Sequence, residues 1–286
     1  MEKSQDRLDV LKRIEEKEKL GLFHEDVEND PPTKILMPDK VDYLNKKLSS
    51  KIGTVIANKM GTKFFEEQIK EGQFAIKQVN GIENFASIEG GAIITCNHFN
   101  AFDNYAVYKA IKPYLHGKKL WKVIREGNYT NFPGIIGFFF KHCNTLPLSS
   151  NTDTMKLFFS AMKTLLAKGE KILIYPEQGM WWNYRKPRPL MNGAYKFAVS
   201  NNVPIVPIFI TMEDGTTLDR NGFFVQEYTI NILPAMYPNP ELSKNEDIQR
   251  LKNQNYKAWV DTYEKFYHTK LEYSTDAKVS GLWYYI

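Results

Sequence analysis

Short apolar runs alternate with helix-patterned stretches along the middle of the chain, and this alternation constrains the fold more than any other feature. Ala92–Cys96, Leu120–Ile124, Lys171–Tyr175 and Val203–Ile210 are each four to eight residues long and read as buried strands. Between them, Asn104–Ile111, Asp153–Leu166 and Gly193–Ser200 carry apolar residues at helical spacing, with Pro113 and Gly169 as stops. Phe74–Val79 and Phe223–Ile232 add possible strands, and Ile248–Tyr267 a last amphipathic helix. The pattern predicts an α/β fold: a mostly parallel central sheet flanked by helices on both faces. Ligands of such sheets bind at the carboxyl ends of the strands.

Before residue 72 the pattern is different. Residues 1–30 alternate charge sign around Leu8, Leu11 and Ile14, which predicts an exposed or loosely attached helix broken at Asn29–Pro32. Residues 39–70 return to helical spacing, with Gly61 a plausible C-terminal stop. The predicted organisation is an N-terminal helical segment, 1–72, and a main domain, 73–286.

Composition narrows the class. The 286 residues include 18 Phe, 16 Tyr and 5 Trp, too many for a disordered chain. The longest apolar stretches, Pro133–Phe140 and Val203–Ile210, are far short of the roughly 18–20 residues that a spanning helix needs. With a charged start and only Cys96 and Cys143, the expectation is a cytoplasmic protein without a metal or disulfide framework. The formal charge of +5 is unevenly spread: residues 104–196 hold 15 Lys or Arg against four Asp or Glu. Such a stretch is either a solvated face or a site for something anionic. Buried strands inside it, and the lack of a binding module, argue against nucleic acid.

The chemistry-bearing residues follow the first buried strand, in Asn97-His98-Phe99-Asn100-Ala101-Phe102-Asp103. On a continuous helix, His98 and Asp103 would sit about 140° apart, so pairing them requires a turn. An Asp accepting from one imidazole nitrogen would leave the other as a general base. The alternative is that Asp103 caps a helix and His98 is a turn residue. Glu177 stands directly after a strand, and Arg185, Lys186 and Arg188 follow it in a Pro-rich loop. Cys96 lies inside a strand and reads as core rather than nucleophile.

Taken in order, these blocks resemble the glycerolipid acyltransferase family typified by lysophosphatidic acid acyltransferase. His98 and Asp103 match its His-x4-Asp signature. Arg125 through Pro133-Gly134, with Leu146-Pro147-Leu148, resembles the second block, and Tyr175-Pro176-Glu177 the third. Leu190–Ala194 and Val203–Ile208 complete the series, and the resemblance covers residues 75–235. It implies transfer of a fatty acyl group from a thioester, on coenzyme A or acyl carrier protein, to a lysolipid hydroxyl. The acceptor most in keeping with it is 1-acyl-sn-glycerol-3-phosphate, giving phosphatidic acid. His98 would be the base and Asp103 its orienter. Glu177, Gly179 and Arg125 would help bind the acceptor. The thioester is a co-substrate and no cofactor is implied. No Gly-x-Ser-x-Gly elbow is present, as expected where no enzyme nucleophile is needed.

Two departures bear on the acceptor. Ser149-Ser150 stands where the family has a phosphate-clamping Arg, and Gln178-Gly179-Met180 where it has Gly-Thr-Arg. Either Arg185, Lys186 or Arg188 replaces these groups, or the acceptor is another lysophospholipid, a glycolipid or an amino-lipid. A non-catalytic lipid-binding relative is the reading from another class. An amphiphilic acceptor also predicts peripheral attachment at the inner face of the cell membrane. The candidates for contact with an anionic surface are the 39–60 helix, with Lys40, Lys46, Lys47 and Lys51, and the Phe132–Phe140 segment. Packing on the core is the competing reading for both, and for Pro133–Phe140 so is burial lining an acyl tunnel.

Overall fold

A computed structural model describes residues 2–30 and 32–275. Pro31 of the Asn29–Pro32 breaker, and the end of the 73–286 segment beyond residue 275, lie outside the described residues. Two N-terminal helices, α1 (Gln5–Lys19) and α2 (Leu48–Lys70), precede an alternating series. It runs β1 (Ala75–Asn80), α3 (Ile82–Ala86), β2 (Ala92–Cys96), α4 (Asp103–Ile111) and β3 (Leu120–Ile124). Then come α5 (Glu126–Thr130), α6 (Gly134–His142), β4 (Thr145–Pro147), α7 (Thr152–Ala167) and β5 (Lys171–Ile174). The chain continues through α8 (Gly193–Asn201), β6 (Ile205–Leu218), β7 (Phe224–Ile232) and α9 (Lys244–Tyr267).

The seven strands form one sheet in the order β1-β7-β6-β2-β5-β3-β4. Every pairing is parallel except the β6–β7 hairpin. The three central strands are apolar on both sides because helices cover both faces. Ile93, Ile172 and Phe209 face Phe158, Met162, Tyr195 and Trp259 of α7, α8 and α9. Ile94, Leu173, Val206 and Ile208 face Phe85, Tyr105, Val107 and Ile111 of α3 and α4. Gly91 lets α7 sit against the start of β2, since a Cβ there would be 2.2 Å from the Leu166 carbonyl oxygen.

Five expectations need correction. Helix α2 begins at Leu48, not near 39, because Asp42 accepts from the Lys46 and Lys47 amides and turns the chain there. Gly61 does not end it; the glycine is buried in mid-helix beside Cys143. The first helix is not loose: Val10 and Ile14 pack with Phe23, Val27, Trp181 and Trp182 in a third cluster. The Pro133–Phe140 run is mostly helix α6, in which only Gly137 is buried. Strand β6 also runs beyond Ile210 to Leu218, its outer half exposed and paired only with β7.

Candidate active site

The carboxyl ends of β2, β5 and β3 are neighbours, and they carry His98, Glu177 and Arg125 in that spatial order. The turn after β2 is fixed first. Asn97 is buried, and its amide both accepts from the Ile210 N–H (2.8 Å) and donates to the Ile210 carbonyl (3.0 Å). That clamp to β6 points the next residue, His98, out of the sheet edge.

The turn then folds back as the pairing required. His98 Nδ1 lies 2.7 Å from Asp103 Oδ2. The same oxygen accepts from the Phe99 and Asn100 amides at 3.1 and 3.2 Å. Asp103 is therefore the first residue of α4 without capping it; its carboxylate reaches back to the preceding turn. The Tyr175 hydroxyl donates to Asp103 Oδ1 at 2.7 Å. With four donors on a fully buried carboxylate, Asp103 acts as an acceptor, so Nδ1 of His98 carries the proton. Nε2 of His98 then holds a lone pair and makes no hydrogen bond among the described residues. The imidazole side chain is 21% exposed, enough for a ligand to reach that nitrogen. The ring is further braced by stacking on Tyr175, with centroids 4.0 Å apart. Burial and the Asp103 charge push the Tyr175 hydroxyl well above its ordinary pKa, so it stays a donor.

Glu177 occupies a different role from the one expected. It is 2% exposed, and its Oε2 accepts from the His98 backbone N–H at 3.0 Å. Its Oε1 accepts from the Arg188 N–H at 2.7 Å, and Arg188 Nη2 reaches Oε2 at 3.1 Å. Arg188 is fully buried over the Trp181 ring, its centre 4.8 Å away, and donates to the carbonyls of Phe23 (3.0 Å), His98 (3.4 Å) and Gly179. Burial pulls the guanidinium down in pKa and Glu177 pushes it back up. Glu177 and Arg188, expected to bind acceptor, here fasten the 177–188 loop to the turn that bears His98. Trp181 and Asn183 add backbone bonds to His98 (3.1 Å) and Phe99 (2.8 Å).

The other expected cations are also engaged. Lys186 pairs with Glu18 of α1 at 2.6 Å, and Arg185 with Asp214 at the outer end of β6 at 2.7 Å. Arg125 pairs with Asp26 and, at 3.8 Å, with Asp30. Gly179 lies directly under that pair, so that a Cβ on it would be 3.1 Å from Asp26 and 3.3 Å from Arg125. Arg185, Lys186 and Arg188, the candidates to replace a phosphate clamp, are each paired with a carboxylate of the chain itself.

Sequence reasoning passed over two site residues. Tyr175 was visible only as the first residue of a motif block, without a signal for its bond to Asp103. His24, whose pKa burial lowers, with the Arg188 charge adding to that, arrives from a segment remote in sequence. Cys96 is fully buried and its thiol is pushed well above the ordinary range, as befits a core residue.

Comparison with known proteins agrees with this arrangement. Residues 77–211, which include His98, Asp103, Arg125, Glu177 and the basic loop, match the Acyltransferase family model. Among solved structures, the chain resembles the 1-acyl-sn-glycerophosphate (LPA) acyltransferase PlsC of Thermotoga maritima, with a TM-score of 0.53 and 17% identity. That likeness covers 80% of this chain and 87% of the other, and it is one of fold. No curated protein matches the chain in sequence. Residues 77–211 are thus an Acyltransferase domain, carried in a fold that the chain shares with PlsC.

Proposed function

We propose that the chain transfers a fatty acyl group from a thioester to the hydroxyl of a lysolipid, with His98 as general base. The observation that carries this reading is the His98–Asp103 pair, which engages Nδ1 at 2.7 Å and leaves Nε2 without a partner among the described residues, on a side chain 21% exposed. Nε2 removes the proton of the acceptor hydroxyl as the oxygen attacks the thioester carbonyl. The tetrahedral intermediate collapses, the C–S bond breaks, and the departing thiolate takes the proton from the imidazolium. Asp103 stabilises that imidazolium and holds the ring in place. The thioester is already activated, so the enzyme needs no covalent intermediate. The donor is acyl-coenzyme A or acyl carrier protein, used as a co-substrate.

A lysophosphatidate acceptor is the second reading, in keeping with the activity of the Thermotoga maritima protein that shares the fold. Against it stands the engagement of Arg185, Lys186 and Arg188 by groups of the chain itself. A non-catalytic lipid-binding role would leave the four-donor carboxylate behind His98 without a purpose.

The reading includes work at an anionic membrane surface. No described helix is long and apolar enough to cross a membrane. Helix α2 instead exposes Leu48, Ile52, Val55, Ile56, Met60 and Phe64, beside Ile135 and Ile136 of α6. Exposed Lys40, Lys46, Lys47 and Lys51 lie at its N-terminal end. Such a face, with lysines at one end, suits peripheral docking at the inner leaflet.

The test is product formation: the purified chain, acyl-coenzyme A and a panel of lysolipids, with acyl products separated by mass. A new acylated lipid formed by wild type and not by His98→Ala is expected. No acylated lipid from any acceptor, with either thioester donor, would sink the proposal.

A further inference from the structure

The stretch between α1 and α2 sets two carboxylates of the chain against Arg125 at the carboxyl edge of the sheet. Residues 20–30 and 32–36 of this strap are held by buried groups. Phe23 (1% exposed), Val27 (0%) and Leu36 (2%) are anchored side chains. The Phe23 carbonyl accepts from Arg188, the Glu25 carbonyl from Trp181 Nε1 at 3.0 Å, and the Leu36 carbonyl from Thr154 at 2.7 Å. Between these anchors the strap presents Asp26 and Asp30 to Arg125.

Arg125 directly follows β3, and His98 follows β2; the two strand ends are about 10 Å apart, with β5 between them. A guanidinium at that distance from the base is placed for a phosphate near the reacting hydroxyl. Here it meets two carboxylates instead. The pair is half-exposed, and such a pair by itself holds only weakly. Both carboxylates lie on a stretch with buried side chains at Phe23, Val27 and Leu36, so a dianion approaching Arg125 meets them there.

We propose that Asp26 and Asp30 stand in for an acceptor phosphate on Arg125, so that the site selects lysolipids with no phosphate monoester beside the reacting hydroxyl. The proposal rests on the acyl-transfer reading and names its acceptor class. Lys186, held by Glu18 of the same N-terminal segment, is satisfied in the same way.

The test uses the full chain in two arms. In the first, acyl transfer is compared between 1-acylglycerol and 1-acylglycerol 3-phosphate of the same chain length. Wild type is expected to favour the uncharged acceptor in kcat/KM by about tenfold or more. Asp26→Asn/Asp30→Asn is expected to shift that ratio about tenfold toward the phosphate, and adding Arg125→Gln to abolish the shift. In the second arm, binding of glycerol 3-phosphate is measured by calorimetry. Binding by the double variant but not by wild type is expected. Equal binding by both, or a wild-type preference for the phosphate acceptor that the double variant leaves unchanged, overturns the proposal. If the double variant does not fold, Asp30→Asn alone and the wild-type ratio decide. Absence of product from both acceptors overturns the acyl-transfer reading, and the binding arm then decides the strap's role by itself.

Discussion

Two helices open the chain, both patterned with apolar residues at helical spacing, and they solve the burial problem in opposite ways. Helix α1 turns its apolar side inward, placing Val10 and Ile14 against Trp181 and Trp182. Helix α2 turns its small side inward: Gly53, Thr54, Ala57 and Gly61 are buried, while its large apolar residues face out. The difference lies in what each meets. The Trp-rich 177–188 loop offers α1 a broad apolar surface. Against α2 lies α6, whose His142 ring would be 2.7 Å from any Cβ at Gly53, so only small residues permit the approach. Hydrophobic spacing identifies a helix; the partner decides which side is buried.

The sharpest way to break this comparison is to remove what docks α1 and the strap. Arg188→Ala leaves Glu177 buried without its cation and takes the donor from the Phe23 carbonyl. A loss of about 3–5 kcal/mol in chemical denaturation is expected. A loss below about 1 kcal/mol would mean that the loop and strap hold together without the pair. On the α2 side, Gly53→Leu drives a side chain into His142 and is expected to cost about 1–3 kcal/mol by the same measurement.

A pH titration separates the two regions further. Burial raises the Glu18 carboxyl, but Lys186, the Ser274 amide and the Tyr184 hydroxyl together pull it below its ordinary 4.5. A carboxylate with a lowered folded pKa stabilises the fold fully above 4.5, and that contribution is lost as the pH falls through the folded value. Tryptophan fluorescence from Trp181 and Trp182 is thus expected to change as the pH drops below 4.5. In Glu18→Gln this step should be absent.

The smallest effect on stability belongs to the exposed face of α2. Ile52→Glu/Val55→Glu is expected to change stability by no more than about 0.5 kcal/mol. Flotation with anionic vesicles should nevertheless be lost. Full retention on vesicles would remove α2 from the account of membrane contact.

The same contrast explains what the sequence disclosed. Strands β2, β3 and β5 were legible nearly to the residue, because a strand covered on both faces is a continuous apolar run bounded by turns. The His98–Asp103 pair was legible too, since both partners lie within one turn and carry a recognisable spacing. Arg125, Lys186 and Arg188 were visible as cations but not as engaged ones. Their partners, Asp26, Glu18 and the Phe23 carbonyl, come from more than 90 residues away. The inverted burial of α2 was hidden for a similar reason, because it depends on His142 and Cys143 from another helix.

The central claim is that His98, and no nucleophile of the chain, activates the acceptor hydroxyl. Thiol release from acyl-coenzyme A in the presence of an accepted lysolipid tests it most directly, with His98→Ala and Cys96→Ala compared with wild type. The account predicts a loss of roughly 10²–10⁴-fold in kcat for His98→Ala. It predicts little change for Cys96→Ala beyond any lost stability. Acceptor-dependent release by His98→Ala at the wild-type rate, or its abolition in a folded Cys96→Ala, would contradict it.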